Sequence, residues 1–159
     1  MSQQETFMKV AIKEAKKARL KNEVPIGAVI VKDGKVISRG HNLRETQKNS
    51  LKHAEVIAID KACKKLQNFR LEDCDLYVTI EPCLMCSGAI VQSRIRKVYF
   101  GARDEKYGAV VSVANVFDIK SNHKVIFEEG ICKEECRTIV KEFFKELRNK
   151  KLSKKKYDV

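Results

Sequence analysis

The sequence predicts a three-layer α/β/α domain with a central mixed five-stranded sheet. Five segments with the composition of β-strands alternate with segments whose apolar residues recur at helical spacing, and this alternation is typical of such a domain. The first two strand segments are separated by a tight turn, so this pair is expected to be antiparallel. A length of 159 residues fits one domain with a single substantial core.

The N-terminal part predicts a helix followed by a hairpin. Residues 6–20 place apolar side chains on one helical face and lysines on the other. Residues 24–31 read as a strand, and the Asp33-Gly34 turn leads into a second strand over residues 36–39. The small residues Gly27 and Ala28 fit either a planar ligand near the backbone or ordinary close packing.

The middle of the chain predicts two helices separated by a strand. The helices cover residues 53–66 and 83–93, and the strand covers residues 75–80. The second helix is apolar nearly all round, so we expect it to be buried on several sides. Gly88 within it is expected to mark close packing against the sheet or the preceding helix.

The C-terminal part predicts two further strands and a long helix. Residues 97–102 and 124–127 form the strands, and residues 133–151 form the helix. Residues 103–122 are too irregular to assign, apart from a helical turn within 111–117. We expect residues 1–149 to form the folded domain and residues 150–159 to be a basic tail, frayed around Lys154, Lys155 and Lys156.

Three residues have the chemistry and spacing of a catalytic zinc site. His53 offers one imidazole, and Cys83 and Cys86 offer two thiolates, which leaves the fourth position of a tetrahedral ion for water. The i, i+3 spacing of the cysteines places both sulfurs on one face of a helical turn, and Pro82 suits the start of that helix. His53 and Glu55 can converge only at a helix end, so we expect two helix N-termini to face one ion.

Each of these residues has a simpler explanation when it is taken alone. An isolated His53 would more often be a core or surface histidine, and Glu55 a solvated charge. A lone Cys-x-x-Cys pair fits zinc, a redox pair or two buried small residues. Their order, with each group at a predicted helix start, favours the metal site.

Composition favours a cytoplasmic protein with a polyanionic partner. The sequence shows no signal peptide, membrane span or lipidation motif. The cytosol would keep its six cysteines reduced, and Cys132 and Cys136 lie on the apolar stripe of the last helix, which favours buried filler over a second metal site. The net charge is +12, and the last nineteen residues contain eight basic and three acidic residues, which favours a nucleic acid partner.

The order His-x-Glu and then Pro-Cys-x-x-Cys resembles the zinc-dependent nucleobase deaminases of the cytidine deaminase-like fold. Nearly the whole chain, to about Arg148, resembles the bacterial tRNA adenosine deaminases. The shared motifs are VPIGAV at 24–29, GHN at 40–42, HAE at 53–55, LYVTIEPCLM at 76–85, FGARD at 100–104, EEG at 128–130 and FF at 143–144.

This resemblance implies roles for several residues and a homodimer. It implies that Ile26, Asn42 and Ile80 line a pocket around a flipped base and that Asp104 meets the neighbouring nucleotide. Turn formation is the alternative explanation for Asn42. At the basic C-terminal end, Phe144 is a candidate for stacking on a base, with a core position as the alternative. The sequence departs from the family at residues 50–52, where Ser-Leu-Lys replaces the usual Pro-Thr-Ala, and this bears on the shape of the loop before His53.

The sequence therefore predicts a zinc-dependent hydrolase that converts the wobble adenosine of a tRNA anticodon to inosine. In this interpretation His53, Cys83 and Cys86 hold zinc, and Glu55 transfers protons. A free-base or nucleotide deaminase, such as a guanine or cytosine deaminase, is the alternative enzyme. A non-catalytic zinc-stabilised RNA-binding module is a rival of another class, but a structural site would be expected to have four protein ligands.

Overall fold

A computed structural model of the protein describes the backbone of residues 1–157 and the side chains of residues 1–152. Within these described residues, four helices and five strands follow one another in the predicted order. The helices are α1 (Gln3–Leu20), α2 (Ala54–Leu66), α3 (Leu84–Gln92) and α4 (Lys133–Tyr157). The strands are β1 (Gly27–Lys32), β2 (Lys35–His41), β3 (Cys74–Ile80), β4 (Lys97–Ala102) and β5 (Ile126–Glu129), and a single 3₁₀ turn covers Val116–Asp118.

The five strands form one mixed sheet in the order β2-β1-β3-β4-β5. Strand β1 is antiparallel to both β2 and β3, whereas β3, β4 and β5 are parallel. The parallel pairs require crossovers, and α3 and the segment after β4 provide them. The predicted fold class and the predicted antiparallel start of the sheet are therefore confirmed.

Two apolar cores cover the two faces of this sheet. Alternate residues of β1 point to opposite faces, because successive side chains of a strand alternate. Ala28 and Ile30 belong to a core with residues of α2 and α3, and Val29 and Val31 belong to a core with residues of α1 and α4. Helices α2 and α3 thus share one layer, and α1 and α4 share the other.

Two glycines allow helices to approach the sheet closely. A Cβ atom at Gly27 would lie 2.0 Å from the Ala11 carbonyl oxygen of α1, so close packing explains this small residue. A Cβ atom at Gly40 of β2 would lie 2.5 Å from the Ala54 carbonyl oxygen of α2. The first turn of α2 therefore rests directly on the backbone of β2.

The predicted burial of α3 on several sides is wrong within a single chain. Cys86, Ser87 and Ile90 are buried, but Leu84 is 68% exposed. The expectation that Gly88 marks close packing is also wrong, because an added Cβ atom would have no neighbour within 4 Å. One side of this apolar helix therefore faces outward.

The last helix begins at its predicted residue but extends beyond its predicted end. It begins at Lys133, so Cys132 precedes the helix, with a φ of 53°. Cys132 still packs against the α1/α4 core, and Cys136 is buried, as expected of filler residues. The helix continues to Tyr157, because lysine is a good helix former and a run of lysines need not end a helix. The side chains of Lys154, Lys155 and Lys156 lie outside the described residues, and the domain boundary at residue 149 stays a prediction.

Within residues 1–157, no helix combines the length and the apolar character that a membrane span requires.

Candidate active site

The structure brings His53, Cys83 and Cys86 together at the starts of two helices. His53 is the N-cap of α2 and Cys83 is the N-cap of α3, and neither side chain caps its own helix. The imidazole Nδ1 lies 3.6 Å from the Cys83 sulfur and 3.5 Å from the Cys86 sulfur. Pro82 lies one residue before the N-cap rather than in the first turn. Three ligand-type atoms therefore face one point in front of two helix N-termini.

These three residues fit a tetrahedral zinc ion. Bond lengths of about 2.3 Å to sulfur and 2.0–2.1 Å to nitrogen, at a tetrahedral angle, place the nitrogen about 3.6 Å from each sulfur. The two Nδ1–Sγ distances agree with this separation. Among the described residues, this is the one group of three or more histidine, cysteine or acidic side chains close enough to share an ion.

Hydrogen bonds favour the thiolate form of one ligand. The Cys86 thiol and the His53 ring donate to the Cys83 sulfur, and together they lower the pKa of Cys83 to about 4. The same interaction and burial raise the pKa of Cys86, because its proton is retained in the bond to Cys83. The hydrogen bond with Cys83 also raises the pKa of His53. A divalent cation bound by His53, Cys83 and Cys86 would take the place of the protons that these three side chains share.

Glu55 lies in the first turn of α2 and is only 4% exposed. Burial raises its pKa to about 7, and the nearby negative charge of Cys83 contributes to the rise. A carboxyl group with this pKa can accept and donate a proton near neutral pH, as a general acid–base group must. Glu55 is therefore buried, whereas its simpler explanation, a solvated charge, would place it at the surface.

The residues predicted to surround a base occupy the ends of strands. Ile26 is half-buried just before β1, and its carbonyl oxygen accepts a hydrogen bond from the Asn42 backbone N–H at 3.1 Å. The Asn42 amide donates to the Val24 carbonyl oxygen at 3.3 Å and accepts from the Arg44 N–H at 3.1 Å. Asn42 thus forms the turn that was its alternative explanation. Ile80, at the end of β3, is 7% exposed. A contact of these residues with substrate stays a prediction.

The other two predicted contact residues lie in different parts of the molecule. Asp104 follows β4, and its Oδ1 atom accepts hydrogen bonds from the backbone N–H groups of Lys106 and Tyr107. Phe144 lies on α4, on the opposite face of the sheet from α2 and α3, and is 39% exposed. Its ring meets the Phe143 ring edge-on at 5.4 Å. Phe144 is therefore available for contact but is not placed beside the metal ligands.

A buried carboxylate that the sequence did not single out holds the loop before His53. Glu23 is 1% exposed and accepts hydrogen bonds from the backbone N–H groups of Glu45 at 3.1 Å and Thr46 at 2.7 Å. Burial alone would raise its pKa, but the Thr46 bonds outweigh burial and lower it. The Leu43 N–H donates to the Lys52 carbonyl oxygen at 3.0 Å and closes this loop, which contains the unusual residues 50–52.

A second such carboxylate, Glu81, lies directly before the ligand-bearing turn and holds the loop that follows β4. It is 3% exposed, and the hydrogen bonds that its carboxylate accepts come from residues within 104–112. One signal in the sequence could have identified it. An acidic residue stands between an apolar strand and Pro82, directly before the predicted metal-binding turn.

The chain is similar to deaminases along most of its length. It matches the MafB19-like deaminase family over residues 1–148. It is 52% identical to a tRNA-specific adenosine deaminase of Bacillus subtilis (strain 168), over 98% of each chain. It is 53% identical to a tRNA-specific adenosine deaminase of Aquifex aeolicus (strain VF5), over 91% of this chain and 96% of that one.

A solved structure of a deaminase is also similar to this chain. It comes from a study of A-to-I editing by tRNA:A34 deaminases at the wobble position of transfer RNA, and it superposes with a TM-score of 0.82 at 43% identity. The superposition covers 84% of this chain and 98% of the solved one.

Proposed function

The chain belongs to the MafB19-like deaminase family and to its tRNA-specific adenosine deaminases, and from this premise we propose that it converts the wobble adenosine of a tRNA anticodon to inosine. The reaction is hydrolytic: water replaces the amino group at C6 and ammonia leaves. The observation that carries the proposal is the convergence of His53, Cys83 and Cys86 beside the buried Glu55, in a chain similar to these enzymes along almost its entire length.

We propose zinc as the cofactor, at about one ion per chain. His53, Cys83 and Cys86 would hold it, because one imidazole and two thiolates form a common catalytic donor set that leaves a position open. Zinc bound there would supply Lewis acidity, which makes water a nucleophile at neutral pH. The two helix N-termini would favour the thiolate forms of the ligands.

Glu55 would move the protons of the reaction. It would take one proton from the attacking water and place it on the neighbouring ring nitrogen. It would then take the remaining proton from the new hydroxyl group on C6 and give it to the amino group, which leaves as ammonia while the C6 carbonyl forms. Its burial keeps solvent away from these transfers, and its raised pKa suits a group that must accept and donate in turn. Ile26, Asn42 and Ile80 are proposed to contact the base, Asp104 the neighbouring nucleotide and Phe144 an unpaired base.

An assay with competing substrates tests this function. The protein should deaminate an unmodified anticodon stem-loop with adenosine at the wobble position and should leave guanine, cytosine and cytidine unchanged. The products can be separated by chromatography after complete digestion of the RNA. Deamination of guanine or cytosine without reaction of the stem-loop would favour the alternative enzyme and contradict the proposal.

We propose that two chains associate through the outward side of α3. Leu84 is largely exposed, and the space beside Gly88 is open, so an apolar surface faces solvent in the single chain. Burial of this surface by a second copy would explain why the helix is apolar nearly all round. A molar mass in solution equal to that of one chain would contradict this proposal.

A tRNA substrate would also place the enzyme in the cytoplasm.

The basic end of α4 is proposed to bind tRNA phosphates. Lys150 and Lys151 are exposed, and three further lysines follow them in the sequence. Removal of residues 150–159 should weaken tRNA binding and reduce the slope of log affinity against log salt by about one for each lost phosphate contact. Single-turnover deamination at saturating enzyme should remain at the wild-type rate.

Binding should be measured across a salt series for the full-length and the shortened chain. A variant with the five lysines changed to arginine keeps the charge and serves as the control, with an unchanged slope expected. Equal affinity and equal slope for the shortened chain would mean that residues 150–159 do not contact tRNA.

A further inference from the structure

Glu81 gathers hydrogen bonds from one loop of the protein. Its Oε1 atom accepts from the Asp104 N–H at 3.2 Å and from the Ser112 hydroxyl. Its Oε2 atom accepts from the N–H groups of Val110 at 3.1 Å, Val111 at 2.8 Å and Ser112 at 2.9 Å. A carboxylate has about four lone-pair sites, so these five bonds use its full accepting capacity. Both ends of the loop over residues 104–112 therefore meet on one side chain.

The same loop is fixed to the turn that carries the metal ligands. The Ala109 N–H donates to the Pro82 carbonyl oxygen at 2.9 Å, and Gly108 forms an isolated bridge with Cys83. Glu81 itself continues the pairing of β3 with β4, because its N–H donates to the Ala102 carbonyl oxygen at 2.9 Å. The loop thus rests on three consecutive residues, Glu81, Pro82 and Cys83.

Gly108 leaves the space that the carboxylate occupies. A Cβ atom at this position would lie 2.3 Å from Cδ of Glu81 and 2.4 and 2.5 Å from its two carboxylate oxygens. Any larger residue would displace either the loop or the carboxylate. The close fit between Glu81 and Gly108 therefore restricts the position of the loop relative to Glu81.

The loop presents side chains of the kind that bind single-stranded RNA. Tyr107 is 62% exposed, and the Lys106 ammonium group lies 5.4 Å from the centre of its ring. A cation can contact phosphate, and an exposed aromatic ring can stack on a base. Because Gly108 pairs with Cys83, these groups stand beside the metal-ligand turn.

We infer that Glu81 is a positioning residue that holds the loop over residues 104–112 beside the active site, so that the loop binds nucleotides flanking the target adenosine. The inference rests on the proposed function for the identity of the bound RNA. Glu81 does not touch the reacting atoms and acts through the loop. Its loss should therefore weaken substrate binding more than it slows the chemical step.

The test compares Glu81→Gln with Glu72→Gln, an exposed position outside the loop. Glutamine keeps the size of the side chain but turns an amide N–H₂ toward backbone donors, so several bonds to the loop are lost. For Glu81→Gln we expect a KM for the anticodon stem-loop at least tenfold above wild type, a kcat within threefold and about one zinc per chain. Amide hydrogen exchange should accelerate at residues 104–112. Glu72→Gln should match the wild type in every measurement.

Either of two results for Glu81→Gln would overturn the inference. A KM within twofold of wild type would mean that the loop position does not govern RNA binding. Loss of zinc from Glu81→Gln would mean that Glu81 holds the cysteine ligands rather than the loop. If that variant does not fold, Ser112→Ala decides the question, because it removes only the hydroxyl donor. A threefold or larger rise in its KM with zinc retained supports the inference, and an unchanged KM overturns it.

Failure of the proposed function would be recognised separately. In that case the wild-type protein itself would not deaminate the stem-loop, whatever the result for Glu81→Gln. Hydrogen exchange would still report whether Glu81 holds the loop, and unchanged exchange at residues 110–112 would refute that part of the inference on its own.

Discussion

Replacement of Glu55 by alanine should reduce deamination of the anticodon stem-loop by about 10⁴-fold while zinc and RNA remain bound. A general acid–base group commonly contributes roughly 10²–10⁴-fold. The upper end applies here because one carboxyl group serves several successive proton transfers. The side chain is not among the metal ligands, so its removal should leave the zinc content at about one ion per chain.

The measurement is a single-turnover rate at saturating enzyme, together with elemental analysis and an RNA binding curve. Asp60→Ala is a suitable control, because Asp60 lies on the same helix but is exposed and pairs with Lys64 at its surface. This control should retain the wild-type rate. A Glu55→Ala rate within tenfold of the wild type would show that Glu55 does not move the protons.

Replacement of either ligand cysteine should abolish both zinc binding and activity. Cys83→Ala or Cys86→Ala leaves one nitrogen and one sulfur, which is too few protein ligands for a stable catalytic site. We expect zinc to fall well below one ion per chain, and deamination to fall to the background rate because water is no longer activated.

Elemental analysis of the purified variants checks this prediction. Cys63→Ala provides a matched control, because Cys63 is a partly buried cysteine of α2 that packs against the core and lies away from the ligand cluster. It should retain zinc and activity. A Cys83 or Cys86 variant with a full complement of zinc and normal activity would remove that residue from the site.

Local patterns in the sequence were sufficient to predict most of the fold. The strand over residues 97–102 has the predicted bounds, and α2 ends at Leu66 as expected. Periodicity reports which side of an element is apolar, and in strands and amphipathic helices that side faces the core. The same signal misled for α3, because an apolar surface does not reveal whether it packs within the chain or remains exposed.

The buried carboxylates that hold the loops around the site, Glu81 and Glu23, could not be predicted in the same way. Glu81 accepts hydrogen bonds from residues 23 to 31 positions further along the chain, and Glu23 from residues 22 and 23 positions away. Such bonds have no periodic pattern, and each partner taken alone is an ordinary acidic residue or a backbone amide. The cluster of His53, Cys83 and Cys86 was identifiable because zinc restricts the residue types that can bind it, whereas any backbone amide in a loop can donate to a carboxylate.

For the proposed zinc site, the contact between Gly40 and the first turn of α2 would make zinc retention depend partly on a residue outside the set of ligands. The Ala54 carbonyl oxygen lies where a Cβ atom of residue 40 would stand, so α2 sits one side chain closer to the sheet than it otherwise could. His53 is carried by α2, whereas Cys83 and Cys86 belong to the segment that follows β3. A bulkier residue 40 would move the imidazole away from both sulfurs together. A strand glycine that has no chemistry of its own therefore restricts which residues the chain can accept at position 40.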